Sequence, residues 1–597
     1  MSTVLRRSAG AAFALLALAL LVYVWGLGGQ NIPRNGDEMV YAHIARLTAA
    51  SGHWLPLVSQ LDHMRNTKPP LLFWQALVAT QWGSNWQLWA LRLPSLLYTL
   101  GSAALCFAMA WRVGRSAAKG ALAAAIYLAF LSSFRYGRPY LTSAAESFWL
   151  NLPMWWLAWR CLRPAPPGDG RLSDAPAGFA PGWGLSLLLG IAVGLGAAYK
   201  SFALIVPACA ALWVALLWLQ GPRWPQWGRA SLLQAARTTA QVALIACVAL
   251  AVFSLWFVLD PDPAAVWREF VVGENAGKMG SSSGYWATAL RGSSSIWVQA
   301  LAYMVNAGLL AFLVPGLLLV GLGLGRKGTP YMRTQLLNNE QPLPAAWRKT
   351  MLAWLLVWLV IFCLPSTRSA RYVIAAMPAL ALLLALCWER IGRLWFAATL
   401  LVASVCLLVL GRIAWVMAEL GIGSMGSTSA SLLVFGLAIA CLLLALLKPA
   451  AMRPATLGLC LLVFACFNAT VAPLDGPAGR FGSSAAQQLR GQRIAVPSGF
   501  NGQFERYEFL LPGNRILPYT ALDAGSATAA LPSLLASADL LVWSEQQGLP
   551  APCAAGECRV IDSRWDTEGR QPSGSLSWAK LWQPQQWLLR REWLIQP

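Results

Sequence analysis

The chain has 597 residues, of which 57% are apolar and only 12% are charged. Soluble domains are roughly a quarter charged, so this composition excludes an ordinary soluble enzyme, and it also excludes a disordered chain. The formal net charge of +21 would suit a nucleic-acid partner, but its distribution along the chain points to a membrane protein instead.

The positive charge is concentrated in alternate loops. Every second loop along the chain lies on the same side of the membrane, and the loops of one side carry 20 lysines and arginines against 4 acids. Residues 473–597, in contrast, carry 11 residues of each sign. An excess of lysine and arginine marks the cytoplasmic loops of a membrane protein. We therefore predict a multi-pass membrane protein with a cytoplasmic N-terminus, a C-terminal segment on the opposite side of the membrane and no nucleic-acid partner.

The apolar stretches approach the roughly 20 residues that cross a bilayer as a helix. They predict about 13 spans: 8–28, 88–111, 120–134, 141–159, 183–198, 201–219, 238–258, 296–323, 350–364, 372–388, 394–411, 430–447 and 455–472. An odd number of spans places the C-terminal segment opposite the N-terminus, in agreement with the charge pattern. Residues 1–472 thus form the predicted membrane domain.

The first outer loop, residues 29–87, has helical patterns of its own. Val40, Ile44 and Leu47 recur at helical spacing with the polar Arg46 among them, which predicts an amphipathic helix in the membrane interface. A second helix is predicted to begin at the prolines of KPPLLFWQ, since proline is tolerated in the first turn.

The last segment, residues 473–597, differs in composition from the rest. Strand-like runs (RIAVPS, RILPYT, DLLVWS) alternate with helix-like runs (GSSAAQQLRG, SATAALPSLLASA), which predicts a small α/β periplasmic domain. Cys553 and Cys558 lie in a polar stretch of it. Outside the cytoplasm they are free to form a disulfide, whereas a zinc site would need further ligands.

Ionisable side chains collect at the outer membrane face. They come from at least five loops or span ends, and a charge near the bilayer requires a functional or structural reason. The set comprises Asp37, Glu38, Lys68, Arg135, Arg138, Glu146, Lys200, Glu274, Lys278, Arg368 and Arg371.

Four segments around these charges resemble motifs of the GT-C membrane glycosyltransferases, in the same order. They are NGDEMVYAHIARLTAASGHWLPL with TKPPLLFWQALVATQWG, GLGAAYKSFALIVP, FVVGENAGKM, and PSTRSARYVIAAMPALALLLA. The resemblance is closest to the branch of the lipid A aminoarabinose transferases and protein O-mannosyltransferases. It implies the GT-C fold with about 13 spans in a bacterial inner membrane, and a small outer domain in the periplasm.

The resemblance implies an inverting transfer of a sugar from a polyprenyl-phosphate donor, such as undecaprenyl phosphate, to an outer-leaflet acceptor. Lipid A or another envelope glycolipid is the preferred acceptor, and a protein hydroxyl is the alternative. A carboxylate must take the proton of the attacking hydroxyl, and cations must neutralise the leaving phosphate. Asp37 and Glu38 match the acidic pair of the family, with Asp37 as the general base; a helix cap is the alternative role for Asp37.

The same comparison assigns the donor phosphate to basic residues and tyrosine: Lys68, Lys200, Lys278, Arg371, Tyr372 and, on its charge, Arg138. Glu146, Glu274 and Asn275 are predicted acceptor or metal contacts. Three positions depart from the family pattern, where Thr67, Ser143 and Gly273 replace Glu, Asp and His. These departures remove side chains that would hold a divalent metal, so a metal requirement is left open, and no organic cofactor is expected.

Two functions of a different class are alternatives to sugar transfer. A lipid or sugar transporter would place charges and broken helices at the membrane midplane, whereas this chain collects its charges at the outer face. A non-catalytic protein that binds polyprenyl lipids would have similar motifs but no turnover. Loss of turnover in a folded Asp37→Asn variant separates it from the enzyme.

Overall fold

The computed structural model describes most of the chain. The described residues are 3–33, 36–61, 64–162, 180–221, 228–276, 284–292, 294–323, 343–482, 489–498, 502–520, 532–544, 553, 558–567 and 577–596.

The membrane domain is built from helices of very different lengths. They are α1 Thr3–Val24, α2 Asp37–Ser51, α3 Leu71–Ala79, α4 Leu88–Gly114, α5 Ala117–Ala129, α6 Leu131–Tyr136, α7 Ser143–Leu150, α8 Leu152–Arg160, α9 Trp183–Ala197, α10 Ile205–Gln220, α11 Arg229–Leu259, α12 Pro263–Val266, α13 Tyr285–Arg291, α14 Ile296–Ala300, α15 Ala302–Ala307, α16 Leu313–Gly321, α17 Ala345–Ile361, α18 Met377–Cys387, α19 Arg393–Glu419, α20 Met425–Leu447 and α21 Met452–Asp475. A π-helical segment, Trp267–Asn275, follows α12, and a 3-10 helix, Ala370–Ala376, precedes α18.

The described helices confirm a multi-pass membrane protein. Seven of them are long and apolar enough to cross a bilayer, and the bent pair Ala302–Leu310 and Leu313–Gly321 adds an eighth if it is one span. Shorter apolar helices lie among them, for example Trp183–Ala197. The predicted number of 13 spans stays a prediction.

Several predicted spans are broken, and polar side chains hold the breaks. The predicted span 141–159 divides at Asn151, whose Nδ2 donates to the carbonyls of Ser147 at 2.6 Å and Ala375 at 2.5 Å. The predicted span 296–323 bends by 114°. Hydropathy averages over a window, so it does not detect a single residue that ends a helix.

The C-terminal domain has a five-stranded mixed sheet in the order β2-β1-β3-β5-β4. The strands are β1 Arg493–Ser498, β2 Arg515–Thr520, β3 Leu540–Ser544, β4 Arg559–Thr567 and β5 Leu589–Gln596. β1 pairs in parallel with β2 and β3, and β5 is antiparallel to β3 and β4. Short helices complete the domain: α22 Arg506–Leu510, α23 at 532–537, α24 Trp578–Leu581 and α25 Pro584–Trp587.

The predicted strands coincide with β1, β2 and β3, whereas β4 and β5 were not predicted. The reason is that buried charged residues interrupt the apolar pattern of both strands: Arg564 and Asp566 on β4, and Glu592 among the buried apolar residues of β5. Glu592 on β5 accepts hydrogen bonds from Arg564 on β4 at 2.9 Å and from Arg506 at 2.8 Å. Burial alone would raise the pKa of Asp566, but the neighbouring arginines outweigh it and lower that pKa.

The first-loop helix α2 packs against the rest of the protein. Ten of its 15 residues are buried, and its polar side chains contact the C-terminal domain. Arg46 donates to Glu505 through Nε at 2.6 Å and through a terminal nitrogen at 2.9 Å. The imidazole of His43 also contacts Glu505, at 3.0 Å, and its Nε2 accepts from the Gln60 amide at 3.2 Å. The polar face that indicated an interfacial helix is therefore an interdomain contact.

The two predicted disulfide cysteines are joined. Cys553 and Cys558 form a disulfide with their Cα atoms 4.9 Å apart.

Candidate active site

A cavity of about 490 Å³ opens between the start of α2, α6, α15 and the 3-10 helix before α18. Its volume lies in the range of small-molecule sites. The lining residues are Asp37, Leu131, Ser132, Arg135, Tyr136, Val305, Asn306, Ser369, Ala370 and Arg371.

Asp37 and Arg371 form an ion pair in this cavity, although 334 positions separate them in the chain. The Arg371 guanidinium lies 3.3 Å from Asp37 Oδ2, and the two side chains are 34% and 31% exposed, so an incoming ligand can reach both. Asp37 is the first residue of α2, and Gly36 holds the cap position, so the alternative role as a side-chain cap does not apply.

The loop that carries Arg371 is fixed by local hydrogen bonds. Ser369 caps the 3-10 helix by accepting from the Arg371 amide at 3.4 Å. Asn306, at the bent span, donates to the Ala370 carbonyl at 2.6 Å. The break in that span therefore supplies the side chain that positions the loop.

Arg135 adds a second cation to the cavity, and the predicted phosphate residues did not include it. The guanidinium groups of Arg135 and Arg371 lie 5.3 Å and 5.7 Å from the centroid of the Tyr136 ring. Arg135 is exposed, and no carboxylate in the described part of the chain lies within 4 Å of it. The sequence feature that could have identified Arg135 is its position at the end of a predicted span.

Arg138, which was predicted to bind the donor phosphate, is buried and structural. Its Nε donates to the Tyr23 carbonyl at 3.1 Å, and its terminal nitrogens donate to Asn468 Oδ1 at 3.3 Å and to the Trp25 carbonyl. These carbonyls lie at the end of α1, where a helix leaves acceptors unpaired. That assignment was wrong, and Arg135 takes its place at the cavity.

Lys68 and Lys200 approach the same region, each paired with an acid. Lys68 Nζ lies 2.8 Å from Glu274, and Lys200 Nζ lies 2.9 Å from Glu146. Both ammonium groups face tyrosine rings, since Lys68 is 5.8 Å from the Tyr41 centroid and Lys200 is 5.9 Å from that of Tyr372. Glu146 thus stands one helical turn from Ser143 and faces a cation.

The phenol of Tyr41 lies close enough to several of these charged groups for them to shift its pKa. Burial raises the pKa of its phenol well above the usual range, and Asp37 raises it further, against the opposing effect of Arg371. Glu274 and Glu146 act in the same direction as Asp37. Residues from three of the four sequence motifs, together with Glu146, therefore act on a single side chain.

Glu38, the predicted partner of Asp37, points into the protein and has a structural position. It is 1% exposed and accepts from Arg92 at 2.8 Å and 2.9 Å, and from the Tyr140 amide at 2.8 Å. Arg92 also donates to the carbonyls of Leu27 and Gly29. A buried carboxylate with these partners organises the loop and is closed to substrate.

The third motif is only partly described. Asn275 Oδ1 accepts from Ser201 Oγ at 2.7 Å, and its Nδ2 donates to the Phe270 carbonyl at 2.8 Å, so it joins the motif to the residue after Lys200. Lys278 lies outside the described residues.

The acids at the site do not fit a divalent metal. Asp37, Glu146 and Glu274 each face a cation, and a carboxylate that is already neutralised is a poor ligand for a second positive charge. Within the described ranges, no three His, Cys, Asp or Glu side chains are grouped to hold a metal ion.

The chain has the GT-C fold that the motifs predicted, with broken spans and a small mixed-sheet domain. It is similar to the crystal structure of ArnT from Cupriavidus metallidurans bound to undecaprenyl phosphate, with a TM-score of 0.56 and 15% identity over 98% of this chain and 97% of that chain.

Sequence comparisons lead to the same branch. Residues 14–259 match the dolichyl-phosphate-mannose-protein mannosyltransferase family. The chain is 30% identical, over 392 residues, to undecaprenyl phosphate-alpha-4-amino-4-deoxy-L-arabinose arabinosyl transferase 1 of Sodalis glossinidius, covering 64% of this chain and 59% of that protein. Transferase 2 of the same name from Pseudomonas fluorescens is 31% identical over 218 residues, covering 36% and 35%. The matches thus span less than two thirds of these relatives' length.

Proposed function

We propose that the protein transfers a sugar from a polyprenyl-phosphate donor to a hydroxyl group of an acceptor in the outer leaflet. The observation that carries the proposal is one cavity that combines the carboxylate of Asp37 with the guanidinium groups of Arg371 and Arg135. This combination matches the two charge requirements of a sugar transfer from a phosphodiester.

The cations receive the negative charge that develops on the leaving phosphate. Guanidinium groups bind phosphate oxygens through directed, charge-assisted hydrogen bonds. Arg371 and Arg135 line the cavity. Lys68 and Lys200 lie 5.8 Å and 5.9 Å from the rings of Tyr41 and Tyr372, which follow the lining residues Asp37 and Arg371 in the chain. As phosphate oxygens approach, they compete with the paired acids for these cations.

Asp37 is the general base. Its carboxylate accepts the proton of the acceptor hydroxyl while that oxygen attacks the anomeric carbon. The bond from the anomeric carbon to the phosphate oxygen breaks in the same step, and the electron pair leaves with the polyprenyl phosphate. A single displacement inverts the anomeric centre and needs no covalent sugar–enzyme intermediate.

The relatives' names indicate the donor. They specify undecaprenyl phosphate and 4-amino-4-deoxy-L-arabinose, so we propose an undecaprenyl-phosphate sugar of this kind as donor. We propose lipid A as acceptor because the motifs resemble those of the lipid A aminoarabinose transferases. The cavity then faces the periplasm, with the N-terminus in the cytoplasm. A protein hydroxyl is the second candidate acceptor, because the matching family consists of protein mannosyltransferases.

Mass spectrometry of envelope lipids tests this proposal. Lipid A from cells that contain the protein should carry a species heavier by one sugar residue, and deletion of the gene should remove it. A protein acceptor would instead shift a glycopeptide. If deletion alters neither, the protein is not a transferase for these acceptors.

The phosphate role of Lys68 makes a direct prediction. Lys68→Ala should weaken the binding of undecaprenyl phosphate roughly 10- to 150-fold, because a hydrogen bond to a charged group contributes about 1.5–3 kcal/mol. The substitution also leaves Glu274, now without its lysine at 2.8 Å, to repel the phosphate. Binding is measured by titration of the detergent-solubilised protein.

Lys448→Ala is the matched control. Lys448 is exposed and immediately follows α20, a helix that contributes no residue to the cavity lining. Its removal should leave binding unchanged. Equal affinity in the Lys68 and Lys448 variants would contradict the phosphate role.

A further inference from the structure

Residues 577–588 of the C-terminal domain expose two tryptophans side by side. Trp578 is 59% exposed and Trp582 is 38% exposed, and their ring centroids are 6.0 Å apart. Lys580, between them in sequence, is exposed as well. Two neighbouring indoles left open to solvent mark a contact surface, because aromatic side chains contribute most to burial at interfaces.

The height of this segment relative to the membrane is fixed by α19. Arg412 Nε on α19 donates to the Trp582 carbonyl at 3.0 Å. Arg412 follows Arg393, the first residue of α19, by 19 positions, which is about 28 Å along a helix axis. The 18 residues between them are predominantly apolar and match a hydrocarbon core about 30 Å thick. With Arg393 at one boundary, Arg412 and the Trp582 backbone lie at the other.

Apolar packing holds the segment at this height. Trp587 and Leu588 contact a buried cluster that includes Ile413 and Val416 of α19. Trp415, on the same helical turn, is 64% exposed. Tryptophans enriched at one level are typical of the interface between hydrocarbon and headgroups.

We propose that residues 577–588 form a tryptophan foot, with which the C-terminal domain contacts the phospholipid surface. The rings of Trp578 and Trp582 occupy the headgroup layer, and Lys580 faces lipid phosphates. The occupant is lipid because the segment continues the aromatic level of α19 at the boundary of the bilayer. The foot fixes the domain over the membrane whether or not the protein transfers sugar.

Depth-dependent quenching tests the foot in the full-length chain. An environment-sensitive fluorescent amino acid replaces Trp578 in one variant and Lys580 in a second, and each variant is placed in phosphatidylethanolamine–phosphatidylglycerol nanodiscs. Lipids with a spin label on the headgroup should quench the fluorescence of both variants several-fold more strongly than they quench the control. The Lys580 variant keeps both tryptophans, so the result does not depend on tolerance of a change at Trp578.

The control position is Val560, an exposed apolar residue of the same domain. It lies seven residues before Thr567 on β4, roughly 20 Å along the strand, and Thr567 contacts Asn31 after α1 at 3.4 Å. Equal quenching at Val560 and at the foot overturns the proposal. Concentration-dependent quenching between labelled chains without spin-labelled lipid also overturns it, because a second copy would then cover the tryptophans.

Discussion

Replacing Asp37 by asparagine should reduce sugar transfer by roughly 100- to 10,000-fold, the contribution of a general base. Asparagine has the same shape and still accepts a hydrogen bond from Arg371, which lies 3.3 Å away in the wild type. The donor should therefore bind with nearly unchanged affinity while the turnover rate falls. Single-turnover transfer and equilibrium donor binding, measured on the same preparation, separate these two quantities.

Asp539→Asn is the matched control. Asp539 also pairs with an arginine, Arg493 at 2.9 Å, but it lies on the surface of the C-terminal domain, away from the cavity. This variant should retain wild-type transfer. If Asp37→Asn keeps a tenth or more of wild-type turnover, Asp37 is not the base.

Glu38→Gln should destabilise the protein by about 3–5 kcal/mol, the cost of leaving one member of a buried ion pair without its partner. Arg92 is fully buried, so the glutamine would leave its guanidinium charge without the carboxylate that it contacts at 2.8 Å. Arg92 also holds the carbonyls of Leu27 and Gly29, so the loop before α2 should loosen. The midpoint of thermal unfolding, followed by the monodisperse fraction after heating, measures the change.

Glu389→Gln provides the comparison. Glu389 also faces an arginine, Arg453 at 3.1 Å, but its side chain is 51% exposed, and an exposed pair contributes about 0–1 kcal/mol. Its unfolding midpoint should hardly change. If the Glu38→Gln variant is as stable as Glu389→Gln but inactive, the structural role of Glu38 is contradicted and a catalytic role is supported.

The four motifs predicted the exposed part of the site because its chemistry depends on residue type. The base and the phosphate-binding cations that we propose must be ionisable side chains, and these stand out in an apolar chain. The structure brings Asp37, Lys68, Lys200 and Arg371 together around Tyr41 and Tyr372. The motifs did not distinguish Arg138 from Arg135, since two arginines three positions apart at a span end look equivalent until their burial is known.

The buried polar contacts could not be predicted, because they depend on partners far away in the sequence. Arg92 lies 54 positions from Glu38, and Glu505 lies 459 positions from Arg46. The strands β4 and β5 were missed for the same reason. From the sequence alone, Arg564 and Glu592 are predicted to be exposed to solvent. Only the ion pair between them allows both side chains to be buried.

The contact of α2 with Glu505 limits which parts of this protein can be exchanged with those of a relative. α2 begins with Asp37, and further along it presents His43 and Arg46 to a carboxylate of the C-terminal domain. The domain is therefore not an exchangeable module. A chimera that took this domain from a relative would need to bring residues compatible with α2, or His43 would lose its partner within the protein interior. Recombination between this protein and its relatives should succeed only where the first loop and the last domain come from the same parent.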